Sequence, residues 1–266
     1  MHRALTILLL AFWIGQPGWA AGIDHAEWDL LLKSHVHRID GGRATQLDYS
    51  GMLQERDRLK AYLGGLSAVS RQQFEQWPKE EQLAFLINAY NAWTVDLVLI
   101  AYPDLTSIRD LGSLFRSPWQ KSFIPLLGET RSLDDIEHGL IRGSGRYRDP
   151  RIHFAVNCAS IGCPALRAEA YTAAELERQL EQQTRLFLAD RSRNRSVRER
   201  VQVSSIFKWY REDFEAGWRG ARSLGAFLRL YAEALQLSEQ QSQALQSGTA
   251  DIEFLDYDWR LNDRKG

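Results

Sequence analysis

The segment His153-Phe-Ala-Val-Asn-Cys158-Ala-Ser-Ile-Gly-Cys163-Pro164 gathers a histidine and the only two cysteines of the 266-residue chain. Three chemistries fit it. A thiolate at Cys158 can attack a carbonyl: the apolar run Ile152 to Val156 reads as a strand, and Ala159, Ser160 and Gly162 after it allow a sharp turn with approach by backbone N–H groups. Alternatively, Cys158 and Cys163 pair, closing a small loop for which the chain-entropy model assigns roughly 2 kcal/mol. Finally, His138, His153, Cys158 and Cys163 offer nitrogen and sulfur ligands to zinc, although the spacing lacks the two-residue cysteine pairs of zinc ribbons and fingers.

A thiol nucleophile needs a base, because a free thiol is mostly protonated at neutral pH. His153 precedes Cys158 by five positions, so on an extended strand the two side chains face opposite ways. His138 is therefore the expected base, near the end of a helix that leads into the cysteine segment, with Glu137 or Asp135 available to orient its ring. The competing reading makes these histidines satisfied core residues. Cys163 and His153 complete the candidate set.

The elements that must position these residues follow from patterning. Pro78-Lys-Glu-Glu81 suits a helix first turn, and Leu83 to Ile100 continues it as a long, largely buried helix, ended by Tyr102-Pro103. Asn88 and Asn91 project amides from that apolar cylinder, and bracing of neighbouring loops is their expected role. Phe123 to Ser132 suggests a hairpin; Ser132-Leu-Asp-Asp135 is a capping box opening the helix Leu133 to Ile141. Amphipathic patterning predicts a helix up to about Leu188, and further helices over 204–214, 224–235 and 239–245. The aromatics Tyr257 and Trp259 imply that the C-terminal tail docks on the body. The expected fold is α+β, a predominantly helical single domain over residues 21–266 with a small antiparallel sheet.

The N-terminus carries His2 and Arg3, an apolar block from Ala4 to Ile14, then Pro17-Gly-Trp-Ala-Ala21, the pattern of a secretory signal over residues 1–20. A periplasmic or secreted protein is expected, with no integral membrane segment after signal removal, since Asn88, Asn91 and Asp96 interrupt the longest apolar stretch. With 33 basic against 34 acidic residues there is no electrostatic footprint for nucleic acid.

Four motifs in order, Phe85-Leu-Ile-Asn-Ala-Tyr-Asn91, Ser132-Leu-Asp-Asp-Ile-Glu-His138, His153 to Pro164 and Phe207-Lys-Trp-Tyr-Arg-Glu-Asp-Phe214, resemble the domain of unknown function 547 family. Tyr257-Asp-Trp259 adds a fifth. The resemblance implies a bacterial, often exported protein of unassigned activity. Some relatives keep a cysteine matching Cys158 but not one matching Cys163, which points to Cys158 as the more individual residue.

The resulting expectation is a cysteine-dependent hydrolase or acyltransferase acting on an amide or ester in a peptide or small molecule, without a cofactor or metal. Cys158 is its nucleophile and His138 its base. The alternative is a non-enzymatic envelope binding module held by a Cys158–Cys163 disulfide, with Trp209, Tyr210, Phe214, Tyr257 and Trp259 lining a groove and Arg142 and Arg151 bracketing a carboxylate.

Overall fold

The computed structural model describes residues 22–113 and 116–264, so the secretory pattern at 1–20 lies outside the described residues. The helix Lys79–Leu99 is the hub. Every residue from Gln82 to Leu99 is buried, which is why this helix shows no amphipathic stripe. Around it pack the helices Ala26–His35, Tyr49–Gln54, Arg56–Ala68 and Arg71–Gln76.

Chain patterning and structure agree on an α+β, mostly helical fold. The strands are spread over three small sheets. Val36–Ile39 pairs with Ala44–Leu47 and Ile124–Leu126 with Glu129–Arg131, both antiparallel hairpins. In the third sheet Arg200–Ser204 is antiparallel to Arg195–Val197 and parallel to Asp251–Leu255, which returns to it after the intervening helices. Among the described residues no helix is long and apolar enough to cross a membrane.

The strand expected over the apolar run before Cys158 is absent. Residues Pro150–Phe154 instead form a 3-10 turn, opened by the Asp149 carboxylate, which accepts the Arg151 N–H at 3.0 Å. The reason lies in what surrounds the run. Ile152, Ala155 and Val156 pack into the core around the long helix, whereas Phe154 enters a second, phenylalanine-rich core with Phe187, Phe207, Phe214 and Phe227. A turn wedged between two cores is apolar on all sides, and periodicity cannot tell it from a buried strand.

Candidate active site: a disulfide beside a histidine in an aromatic cleft

The loop from Asn157 to Pro164 is held by side chains rather than by a sheet. Asn91 on the long helix donates to the Ala155 carbonyl at 2.9 Å and accepts the Asn157 N–H at 2.8 Å. Asn157 then donates to the Pro164 carbonyl at 2.8 Å and accepts the Ala159 N–H at 2.9 Å, closing the loop on itself. Asn88, one turn earlier, clasps Tyr171 in the same two-sided manner. Both amides therefore brace loops. Within the loop Ala159 adopts φ +62°, a left-handed conformation that costs a non-glycine residue about 1 kcal/mol or more and requires surrounding contacts to hold it.

The C-terminal tail supplies those contacts. Ile161 N–H donates to the Arg260 carbonyl and Gly162 N–H to the Asp258 carbonyl, each at 2.8 Å, and Ser160 bridges Leu261. The Tyr257 hydroxyl lies 3.1 Å from Cys158 Sγ. Burial pushes that phenol's pKa up, so Tyr257 stays a neutral hydrogen-bonding group.

Cys158 and Cys163 are bonded, with sulfurs 2.50 Å and Cα atoms 6.1 Å apart. Cys158 is partly exposed and Cys163 buried. The pairing removes both thiolates from the set offered to zinc, and among the described residues no group of three or more His, Cys, Asp or Glu is placed to hold a metal ion.

Because residues 150–154 turn rather than extend, His153 and Cys158 do not face opposite ways across a strand; both line one cleft of about 200 Å³. His153 is 2% exposed and stacked on Tyr210, ring centroids 4.0 Å apart. Its Nε2 lies 2.7 Å from Asp213 Oδ2. Asp213, on the short helix Arg211–Glu215, also accepts from Arg142 Nε at 2.6 Å. Burial of Asp213 opposes ionisation, but the bonds from His153 and Arg142 outweigh it and bring the carboxyl to about 2. Burial likewise lowers the pKa of His153, against the pull of Asp213. The pair at neutral pH is thus carboxylate and neutral imidazole, with the proton on Nε2. That leaves the lone pair on Nδ1, a buried atom with no hydrogen-bond partner.

His138 and Glu137 line the same cleft from the wide-turned helix Asp135–Gly143. This π-type helix opens with the expected capping box, Ser132 N–H to Asp135 and Asp135 N–H to the Ser132 hydroxyl. Its wide turn brings the His138 carbonyl so close that a Cβ on Gly143 would stand 2.6 Å from it. His138 is half-exposed, and its Nδ1 accepts from Arg142 at 2.9 Å. Asp134, 3.7 Å from Nε2, is the carboxylate beside its ring. Neither acid expected to orient His138 does so: Asp135 serves the cap, and Glu137 is buried against the hydroxyls of Tyr90 and Tyr210, both hydrogen-bonded to it. The arginines expected to bracket a carboxylate ligand are also engaged, Arg142 by Asp213 and Arg151 by Asp149, Glu177 and Glu181.

Trp119, Trp209, Tyr257 and Trp259 form the mouth. Trp209 stacks on Trp259 at 5.7 Å and Trp119 meets Trp259 edge-on at 5.9 Å. Sequence reasoning missed Asp213 and Trp119. Asp213 lies within a motif singled out for its aromatics, but nothing in spacing links it to a histidine sixty residues away.

No curated protein and no solved structure matches the chain. Residues 74–188, a narrower span than the motifs noted above, hold the long helix, Glu137, His138, His153 and both cysteines, whereas Asp213 and Tyr257 lie beyond them. That segment matches the family described as "Protein of unknown function, DUF547", which supports assignment of the chain to the DUF547 family.

Proposed function

We propose that the protein is a thiol-dependent hydrolase or acyltransferase acting on an amide or ester, latent while Cys158 is bonded to Cys163 and competent once a dithiol reductant opens that bond. The observation that carries this reading is the neutral His153, held by Asp213 with an unpartnered Nδ1, lining the same cleft as Cys158. The arrangement follows the logic of nucleophile, base and orienting carboxylate. On reduction, two electrons pass from the dithiol to the cysteine pair. The Cys158 proton passes to His153; sulfur bonds to the acyl carbon, the C–N or C–O bond breaks, and His153 returns the proton to the leaving group. Water or an acceptor nucleophile then releases the acyl group.

His138, the base expected from sequence, is the second candidate. Its Nδ1 lone pair is occupied by Arg142, whereas that of His153 is not, which favours His153. Export remains part of the proposal, resting on the pattern at residues 1–20. In an oxidising compartment the cysteine pair would form readily.

The closed disulfide and the three tryptophans at the mouth favour a second reading, a non-enzymatic binding module. One experiment separates the two. Reduced wild type is screened with activity-based acyl probes beside Cys158→Ser, His153→Gln, His138→Gln and Asp213→Asn. Loss of labelling in Cys158→Ser, with a fall of about 10²-fold or more in His153→Gln, supports the thiol reading. Labelling retained in Cys158→Ser sinks it. Labelling lost in His138→Gln but not His153→Gln returns the base to His138.

A further inference from the structure

We propose that the cleft receives a cationic group of its substrate, an ammonium carried on a peptide or small molecule, with Glu137 as the carboxylate that recognises it. This rests on the acyl-transfer reading only for the word substrate; the recognition site stands on its own geometry. Glu137 is 5% exposed, yet it lines the cleft. Its hydrogen bonds come from the Tyr90 and Tyr210 hydroxyls, and among the described residues no Lys, Arg or His forms an ion pair with it. Neighbouring acids are served differently: Asp213 holds Arg142 and His153, and Asp134 faces His138.

Arg142 and His153 act on Glu137 only through space, and a buried carboxylate with no ion pair of its own is costly; such groups are normally paired or serve a ligand. The obvious internal counter-ion is committed elsewhere, because Arg142 binds Asp213 and His138 and lies 4.9 Å over the Tyr210 ring. The cleft lining contains Asp134 and Glu137 and neither Lys nor Arg, so an anionic group entering it meets like charge. The mouth favours the same sign. Ring faces attract cations, and Arg109 already sits 5.1 Å over Trp259 from outside the lining. An ammonium entering this cleft would exchange water for the Glu137 carboxylate in the same cleft that Cys158 lines.

The test uses oxidised protein, in which Cys158 is bonded and no turnover competes. Titration calorimetry compares Nα-acetyl-lysinamide with Nα-acetyl-norleucinamide, which has the same carbon chain but no ammonium. The lysine derivative is expected to bind about tenfold tighter, a preference abolished in Glu137→Gln and kept in the exposed surface control Gln72→Ala. Equal affinities, no binding of the lysine derivative at millimolar concentration, or a preference that survives in folded Glu137→Gln overturns the proposal. The wild-type comparison decides even where the variant does not fold. If the lysine preference holds but Cys158→Ser still turns over acyl probes, only the acyl-transfer reading fails. If the preference is absent while Cys158→Ser is inert, only this proposal does.

Discussion

The side-chain oxygen of Asn91 accepts the backbone N–H of Asn157, so the residue before Cys158 is pinned to the middle of the buried helix Lys79–Leu99. The same amide donates to Ala155 across the turn. Replacing Asn91 by Ala leaves a buried N–H and a buried carbonyl unpaired, at a cost of roughly 2–5 kcal/mol. Denaturant unfolding of Asn91→Ala is expected to show that loss, while a surface amide such as Gln72 changed to Ala stays within about 0.5 kcal/mol. Equal stabilities would remove Asn91 as the anchor of the loop.

Gly162 is required by close approach rather than by its backbone angle. A Cβ there would stand 2.9 Å from the Asp258 nitrogen and 3.0 Å from the Tyr257 ring. Gly162→Ala is expected to lift the tail from the cysteine loop, destabilising the fold by about 1–3 kcal/mol and altering tryptophan fluorescence through Trp259. An unchanged emission spectrum and unfolding midpoint would show that the tail does not clamp the loop.

Alkylation of denatured, unreduced protein should label neither cysteine, and reduction should expose both, as read by intact mass. Cys163→Ser frees Cys158 and removes the loop constraint. It is expected to lower Tm by roughly 4–8 °C, from about 2 kcal/mol of loop-closure entropy, and to react with acyl probes without added reductant. Dependence of that variant on a reductant would contradict latency through the disulfide.

Stability should also depend on pH through His25, which is buried with its Nδ1 2.7 Å from the Tyr62 hydroxyl. Burial lowers its pKa to about 4 from an ordinary value of 6.5, against the opposing pull of Asp24. The unfolded chain therefore takes up this proton first. Stability is complete above pH 6.5 and is lost as the pH falls towards 4, by roughly 3 kcal/mol from this group alone. Denaturant titrations at pH 7 and pH 4.5 should show a smaller drop in His25→Gln than in wild type. Parallel drops would mean that His25 is not buried neutral.

The helical class, the long central helix with its bracing asparagines, the capping box at Ser132 and the docking of the Tyr257 tail were all legible in the chain. Each rests on local rules: helix first-turn chemistry, apolar runs of helical length, and aromatics that must find cover. The nature of the segment before Cys158 was not legible. A strand and a buried turn are both simply apolar when packed on all sides, and only the meeting of two cores at Ile152 and Phe154 decided between them. With the strand gone, the expected separation of His153 from Cys158 went too.

By itself, then, the sequence determined which residues carry reactive groups and which helix holds them, since residue type and short-range spacing are properties of the chain. Tertiary structure alone decided that Cys158 is joined to Cys163, that Asp213 holds His153 across sixty residues, and that Glu137 is buried against Tyr90 and Tyr210 in the cysteine cleft. Those relationships depend on how separate elements pack against one another. No pattern along a single segment encodes the distance between two residues brought together only by a shared core.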